Sequence, residues 1–215
     1  MAQPTPEIRA LRRSLRALRR SLPRDERQKA ERAIGNALRH LRLLRRGHRV
    51  AVYLAMPGEV NLRTIIEAGW RAGCLLYAPR ITSRRRGTMG FVPLPPGVRL
   101  RPNPSAFGIA EPMTSLSACI SSLRLDAVLM PVVGFDRHGN RLGMGAGYYD
   151  RALRHLRGGS RRWRRPRLVG LAFACQEVEH IVPSAWDIPL DVVVTERGIV
   201  VPQRQHPHRA LRSSP

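Results

Sequence analysis

A glycine-rich stretch at residues 130–151, MPVVGFDRHGNRLGMGAGYYDR, constrains the fold of this chain more than any other segment. The apolar run at 127–130 leads into it and is typical of a buried strand. Glycine at high density allows positive φ angles and a close approach of the backbone to a ligand. The five glycines concerned lie at positions 134, 139, 143, 145 and 147. Apolar residues then recur at helical spacing, so the stretch predicts a strand, a glycine loop and a helix.

The place of this loop in the predicted fold indicates a ligand. In open α/β sheets, ligands bind at the loops that follow the carboxyl ends of strands, and the first N–H groups of a helix favour phosphate. The loop lacks the lysine of a P-loop, and residues 143–147 are close to, but distinct from, the dinucleotide pattern G-x-G-x-x-G. The glycines by themselves leave both a phosphate loop and an ordinary turn open.

Two amphipathic helices are predicted before the first strand. Apolar residues at turn spacing run from Ile8 to Leu22 on a surface otherwise covered by arginine. A second helix begins near Arg24 and ends at Gly47. The leucines favour packing against a sheet, and the arginines leave an RNA-binding helix as the alternative.

A strand–helix–strand unit follows these helices. Residues 50–55 and 74–78 have the pattern of buried strands, and Asn61 and Gly73 are placed to cap and close the helix between them. A unit of this length predicts parallel pairing of its strands. The proline-rich residues 94–112 predict a long irregular segment, of a kind that often carries function.

The later strand patterns complete the prediction of the fold. They lie at residues 89–92, 125–133, 168–173, 192–195 and 199–201. We expect one α/β domain over residues 1–203, with three layers, a mostly parallel sheet flanked by helices and a Rossmann-like topology. A basic linker is expected at 158–167 and a disordered basic tail at 204–215.

The chain is strongly basic, with a net charge of +23, and Lys29 is its single lysine. Such an excess predicts weak, non-specific attraction to polyanions. A general preference for arginine without functional meaning is the alternative explanation. A basic nucleic-acid-binding α/β protein without catalysis therefore stays open as a second interpretation, although the chain lacks the patterns of known RNA-binding modules.

The cysteines and the apolar runs indicate a compartment. Cys74, Cys119 and Cys175 are far apart and flanked by apolar residues, which is typical of buried thiols in a reducing environment. No apolar run has the length of a membrane span, and the N-terminus has no secretory signal. We therefore expect a cytoplasmic protein with no membrane partner. A monomer is a separate expectation, which these features do not establish.

Three carboxylates lie just beyond predicted strands or in long connections: Glu59, Asp150 and Asp187. Mg²⁺ is usually held by one or two carboxylates together with phosphates and waters. Asp150 lies one turn inside the helix after the glycine loop, where it suits either a metal or the positive end of the helix dipole. Asp187 by itself favours a turn residue over a metal ligand, and Glu59 by itself suits the start of a helix.

Arg141 and Tyr148 border the same loop in sequence. The guanidinium of Arg141 suits a phosphate clamp, with a solvated loop charge as the alternative. Tyr148 suits contact with a planar ligand, with packing between helix and sheet as the alternative. Since neither a catalytic triad pattern nor a zinc-binding spacing can be argued, Mg²⁺-dependent phosphoryl transfer is the chemistry that remains.

Residues 134–151 closely resemble the signature of the 5-formyltetrahydrofolate cyclo-ligase family, also called methenyltetrahydrofolate synthetases. Weaker blocks agree in order, at residues 53–59, 79–80, 107–112, 176–187 and 193–195. The resemblance implies a single α/β domain that binds ATP and Mg²⁺. It also implies closure of 5-formyltetrahydrofolate, with or without a polyglutamate chain, to 5,10-methenyltetrahydrofolate. The formyl oxygen is phosphorylated on the way, and ADP and phosphate are released.

The resemblance also implies roles for individual residues. Arg141 and Tyr148 would be catalytic, Asp150 and Asp187 would hold Mg²⁺, and the substrate would be bound by Glu59, Phe107 and Tyr148. The ATP site would comprise Arg9, Arg12, Arg141, Leu142, Gly143, Met144, Gly145, Ala146, Gly147, Tyr148 and Tyr149.

Two positions depart from the family pattern. Ile8 stands where the family usually has a lysine, and Arg9 is the expected substitute for that phosphate contact. Ala146 stands where many members have lysine or glycine. Loss of one lysine would remove a phosphate contact without abolishing the site.

Overall fold

The computed structural model describes residues 5–102, 110–156 and 165–203. The α-helices in these residues are α1 (Pro6–Ser21), α2 (Arg24–His40), α3 (Arg63–Arg71) and α4 (Tyr148–Ala152). The first six strands are β1 (Arg49–Ala51), β2 (Leu75–Ser83), β3 (Thr88–Pro93), β4 (Leu100–Pro102), β5 (Ala110–Pro112) and β6 (Ala127–Pro131). The other strands are β7 (Gly134–Phe135), β8 (Arg141–Leu142), β9 (Arg167–Leu171), β10 (Val192–Thr195) and β11 (Gly198–Val200).

Seven of these strands form one sheet in the order β11-β10-β9-β6-β1-β2-β3. The five inner strands pair in parallel, and β3 and β11 pair antiparallel at the two edges. The mostly parallel sheet and the parallel pairing of β1 with β2 around α3 are therefore confirmed. Two small antiparallel pairs, β4 with β5 and β7 with β8, lie outside this sheet.

Helices cover both faces of the sheet. On one face, Ile34 of α2 and Ile65 of α3 pack in a cluster with Leu129 of β6. On the other face, Leu153 at the end of α4 packs in a cluster with Val128 of β6. Neighbouring residues of β6 thus belong to different cores, because successive side chains of a strand point to opposite faces. The predicted three-layer α/β architecture is confirmed.

Helix α1 packs against the residues that follow β6. Leu15 belongs to a small apolar cluster with Val133 and Leu142. Gly134 permits this approach, since a Cβ atom there would lie 2.6 Å from Cδ1 of Leu15. The first helix is therefore held next to the glycine loop.

Several predicted boundaries are wrong. Helix α2 ends at His40 and not at Gly47, because Arg42 has a positive φ of 52° that a right-handed helix excludes. Strand β1 ends at Ala51 and not at residue 55. Beyond β1 the chain folds back, and the Tyr53 hydroxyl donates a hydrogen bond to the carbonyl of Val60 at 2.9 Å.

The start of α3 also differs from the prediction. Leu62, and not Asn61, occupies the N-cap position. Asn61 still contributes to the start of the helix, since its Oδ1 accepts the N–H of Arg63 at 2.9 Å. The segment 94–112 is not wholly irregular, because β4 and β5 pair within it.

Residues 157–164 and 204–215 lie outside the described residues, and β9 begins at Arg167, the last position assigned to the linker. Within the described ranges, none of the helices combines the length and apolar character that crossing a membrane requires.

Candidate active site

A cavity of about 860 Å³ lies beyond the carboxyl ends of β1 and β6. Its border includes the start of α1, the loop after β1, the glycine loop and residues 180–187, together with residues of β2, β3, β5 and β6. The parallel sheet brings these segments together, because parallel strands end at the same edge. The predicted position of a ligand site after β6 therefore coincides with an observed cavity.

The first half of the predicted glycine loop is a hairpin, formed by β7 and β8. The carboxylate of Asp136 is fully buried and accepts the backbone N–H groups of His138 and Asn140, each at 2.9 Å. Its second oxygen accepts the N–H of Ile181, also at 2.9 Å. Asp136 therefore ties the hairpin to the segment that forms another wall of the cavity.

The second half of the loop, residues 143–147, borders the cavity. Gly145 and Gly147 have φ angles of 98° and 64°, which residues other than glycine rarely adopt. A Cβ atom at Gly143 would meet no described atom within 4 Å. The carbonyls of Gly143 and Ala146 are held from outside the loop, by Nε of Arg12 at 2.9 Å and by the guanidinium of Arg151 at 2.5 Å.

The side chain of Arg141 is largely shielded from solvent and paired, so the solvated alternative is wrong. Its side chain is 6% exposed, and its guanidinium donates hydrogen bonds to Asp150 Oδ1 and to the carbonyl of Ile188. Asp150 is the partner of Arg141 in addition to lying in the first turn of α4. This ion pair joins the two ends of the glycine loop.

The two aspartates predicted to hold Mg²⁺ both border the cavity. Oδ2 of Asp187 accepts the N–H of Ser184 at 2.8 Å, as expected for a turn residue. The described residues include no group of three or more His, Cys, Asp or Glu side chains placed to hold a metal ion. A donor set of one or two carboxylates still suits Mg²⁺ when phosphate and water oxygens complete its shell.

The start of α1 provides Ile8 and Arg12 to the cavity wall, whereas Arg9 is exposed and is not part of it. The structure therefore does not bring Arg9 to the place of the family lysine. Burial lowers the pKa of Arg12, and the nearby carboxylate of Asp187 acts in the opposite direction. Arg12 is thus a partly buried cation directed at the glycine loop.

Glu59 is 7% exposed and borders the cavity. Its Oε2 accepts the N–H of Met56 at 3.0 Å, and its Oε1 lies 3.5 Å from Nη2 of Arg19. Burial raises the pKa of Glu59, while the Met56 N–H and Arg19 oppose the rise. Tyr148 and Tyr149 border the same cavity, and the guanidinium of Arg151 lies 5.3 Å from the ring centre of Tyr148.

Sequence reasoning missed two charged residues of this region. Glu111 of β5 is 9% exposed, borders the cavity and lies 3.7 Å from Nε of Arg80. Arg19 lies behind Glu59, and its spacing of four residues from Leu15 was the signal that it shares the buried face of α1. Phe107 lies outside the described residues.

The sequence also matches known proteins along most of its length. The model of the 5-formyltetrahydrofolate cyclo-ligase family matches residues 4–196. The chain belongs to this family. Membership makes the protein an enzyme of the ligase class.

Relatives and solved structures agree with the family assignment. The chain is 38% identical to 5-formyltetrahydrofolate cyclo-ligase of Escherichia coli over 150 residues, which are 69% of this chain and 78% of the relative. It is 30% identical to the Haemophilus influenzae enzyme of the same name over 187 residues, which are 86% and 95% of the two chains. The NMR structure of Aquifex aeolicus 5,10-methenyltetrahydrofolate synthetase superposes with a TM-score of 0.74 at 28% identity and covers 94% of this chain and 98% of that one.

Proposed function

We propose that this protein converts 5-formyltetrahydrofolate to 5,10-methenyltetrahydrofolate in a reaction that requires Mg²⁺, consumes ATP and releases ADP and phosphate. Family membership and the relatives' names support the reaction. The observation that carries the proposal for this chain is that one cavity unites a glycine loop with open space at Gly143 and a buried carboxylate at Glu59. The glycine loop suits the phosphates of a nucleotide, and the carboxylate of Glu59 suits the N–H edge of a pterin.

The reaction needs a nucleotide for a chemical reason. The formyl oxygen of an amide is a poor leaving group, and transfer of a phosphoryl group from ATP to that oxygen makes it a good one. The anilino nitrogen of the folate then bonds to the activated carbon and loses its proton, and inorganic phosphate departs with the former formyl oxygen. The protein contributes mainly by positioning the reactants and by stabilising the charge that develops on the oxygens.

The phosphates are assigned to residues 141–149. Glycine at 143, 145 and 147 leaves backbone N–H groups open to close approach, and Arg12 and Arg141 supply positive charge beside them. Because Arg141 is anchored to Asp150 and to a backbone carbonyl, its guanidinium is already oriented before the nucleotide binds. Such preorganisation reduces the cost of binding.

Mg²⁺ is assigned to Asp150 and Asp187, whose oxygens suit a hard cation. When bound, the ion would neutralise charge on the phosphates. Asp150 would have to serve both the ion and Arg141, which its two carboxylate oxygens permit.

The folate is assigned to the part of the cavity that Glu59 borders. A buried carboxylate can accept two N–H groups from a pterin edge, and Tyr148, which follows the glycine loop, borders the same cavity. The assignment of Phe107 to the substrate remains a proposal from the family resemblance.

The direct test is the appearance of the methenyltetrahydrofolate absorbance when purified protein is mixed with 5-formyltetrahydrofolate. We expect product only when both ATP and Mg²⁺ are present, with one ADP and one phosphate formed for each ring closed. Product without nucleotide, or no product with any nucleotide, would contradict the proposal. Exchange of Mg²⁺ for EDTA in the complete mixture is the matched control.

A further inference from the structure

We propose that Arg19 is a positioning residue for the substrate, which acts by holding the carboxylate of Glu59 in place against the cavity. This inference rests on the proposed function, since it takes Glu59 as a folate-binding residue. Arg19 does not itself border the cavity, so it acts through Glu59.

The geometry around Glu59 is the basis for this proposal. The side chains of Arg19 and Glu59 are 3% and 5% exposed, with Nη2 and Oε1 3.5 Å apart. Nη1 of Arg19 also donates to the carbonyl of Val132 at 3.4 Å, and the N–H of Met56 holds the other oxygen of Glu59 at 3.0 Å. The carboxylate is therefore fixed from two sides, once by its own loop and once by α1.

The loop that carries Glu59 is shaped for a close approach to α1. Gly58 has a φ of 88°, and a Cβ atom there would lie 3.1 Å from Cγ of Arg20 and 3.7 Å from Nε of Arg19. A larger residue would be strained by the positive φ and tight against Arg20, whereas its distance to Arg19 would be an ordinary contact. Glycine at this position thus allows the loop after β1 to pass close to α1.

A purely structural role explains Arg19 poorly. Its Nε is buried without a hydrogen-bond partner among the described residues, and burial lowers its pKa. A buried ion pair is often no more stabilising than apolar residues of similar volume. The arginine has a clearer benefit for Glu59. Glu59 must be ionised to accept two N–H groups, and burial opposes ionisation by raising its pKa, whereas the positive charge of Arg19 favours the ionised form. Arg16, Tyr53 and Tyr149 are the other titratable groups that interact with this carboxylate.

Helix α1 would then serve both halves of the reaction. Its second turn contributes Arg12, which holds the glycine loop, and its last turn contributes Arg19, which holds Glu59. The nucleotide and folate regions are therefore connected by one rigid element.

The test is a double-mutant cycle that compares ligand binding by wild type, Arg19→Met, Glu59→Gln and the double variant. Each protein is titrated by calorimetry with 5-formyltetrahydrofolate and, separately, with Mg-ATP. Arg19→Met should raise the Kd for 5-formyltetrahydrofolate by about tenfold or more, as expected for a hydrogen bond to a charged group. In the Glu59→Gln background the same change should alter that Kd by less than about threefold, because coupled residues are not additive. The Kd for Mg-ATP should stay unchanged throughout.

Two further variants separate positioning from general stability. Arg19→Lys should recover part of the folate affinity, since an ammonium group can still pair with Glu59. Arg20→Met changes an exposed arginine next to Arg19 and should leave both affinities unchanged. If Arg19→Met does not fold, Arg19→Gln takes its place in the cycle.

The outcomes distinguish the two proposals. Equal losses from Arg19→Met in both backgrounds, or a parallel loss of nucleotide and folate affinity, would overturn the positioning role and leave the proposed function intact. Failure of wild type to bind 5-formyltetrahydrofolate would overturn both.

Discussion

Gly143→Ala should separate ligand binding from stability. Gly143 lacks the positive φ of Gly145 and Gly147, and a Cβ atom there would meet no described atom within 4 Å. The added methyl group should therefore leave the folded protein as stable as wild type, within about 0.5 kcal/mol. The same methyl group would occupy part of the cavity that the phosphates of ATP are proposed to fill.

The size of the binding effect follows from the contact that would be lost. A hydrogen bond from a backbone N–H to a charged oxygen contributes about 1.5–3 kcal/mol. Since about 1.4 kcal/mol corresponds to a tenfold change, loss of one such bond should raise the Kd for Mg-ATP by roughly 10- to 150-fold. By contrast, Gly145→Ala should also destabilise the fold by about 1–2 kcal/mol, because φ is 98° at that position.

The assay combines Mg-ATP titration by calorimetry with urea unfolding. Gly35→Ala in α2 is the matched control, since it adds a methyl group with only an ordinary contact, 4.0 Å from Ile65, outside the cavity. It should keep nucleotide affinity unchanged and be neutral or stabilising by up to about 1 kcal/mol. Wild-type affinity for Mg-ATP in Gly143→Ala would refute the assignment of the glycine loop to the phosphates.

Four other perturbations should change stability, turnover or binding in measurable ways. Asp150→Asn should lower turnover at least about tenfold. It should also lower the unfolding free energy of the ligand-free protein by about 1–3 kcal/mol, since the shielded side chain of Arg141 loses an ionic partner. Unchanged urea unfolding would contradict the pairing. Gly170→Ala should cost about 1–3 kcal/mol, because a Cβ atom would lie 2.6 Å from Cδ1 of Leu190, and wild-type stability would show that the packing adjusts freely. Burial raises the pKa of Glu59 in the folded protein, so the stability that this side chain contributes is present below its ordinary pKa and is lost as the pH rises through the raised pKa. Between these two pKa values, the unfolding free energy of wild type should fall relative to that of Glu59→Gln. Parallel curves of unfolding free energy against pH for the two proteins would disprove the shift. Binding to DNA or RNA should weaken by roughly 500-fold between 50 and 200 mM salt if about five phosphates are contacted, whereas turnover should change much less, and a tight complex at physiological salt would favour the nucleic-acid interpretation.

Local patterns in the sequence determined the main elements around the site. The apolar run at 127–130, the glycines after it and the helical spacing beyond Gly147 correspond to β6, the loop and α4. The pattern around α3 predicted parallel strands in the same way. Such features can be predicted because side-chain periodicity and backbone freedom are local properties of neighbouring residues.

The ends of helices and strands were harder to predict from the sequence, again for a physical reason. The apolar run at 50–55 continues past β1 because Val52 and Tyr53 are buried in the core without pairing as a strand. Burial and strand pairing impose the same pattern on the sequence, so an apolar run cannot show where the pairing ends. The β7–β8 hairpin was missed because its two-residue strands are too short to produce an alternating pattern.

Tertiary structure alone decided which charged groups meet. Arg141 was predicted as a phosphate clamp, but its anchoring to Asp150 and to the carbonyl of Ile188, 47 residues away, depends on how the chain returns to the glycine loop. Arg19 and Glu59 are likewise brought together by the packing of α1 on the loop after β1. The sequence supplies these charges and their local spacing, whereas their partners, their burial and the raised pKa of Glu59 arise only when distant segments exclude water from the same place.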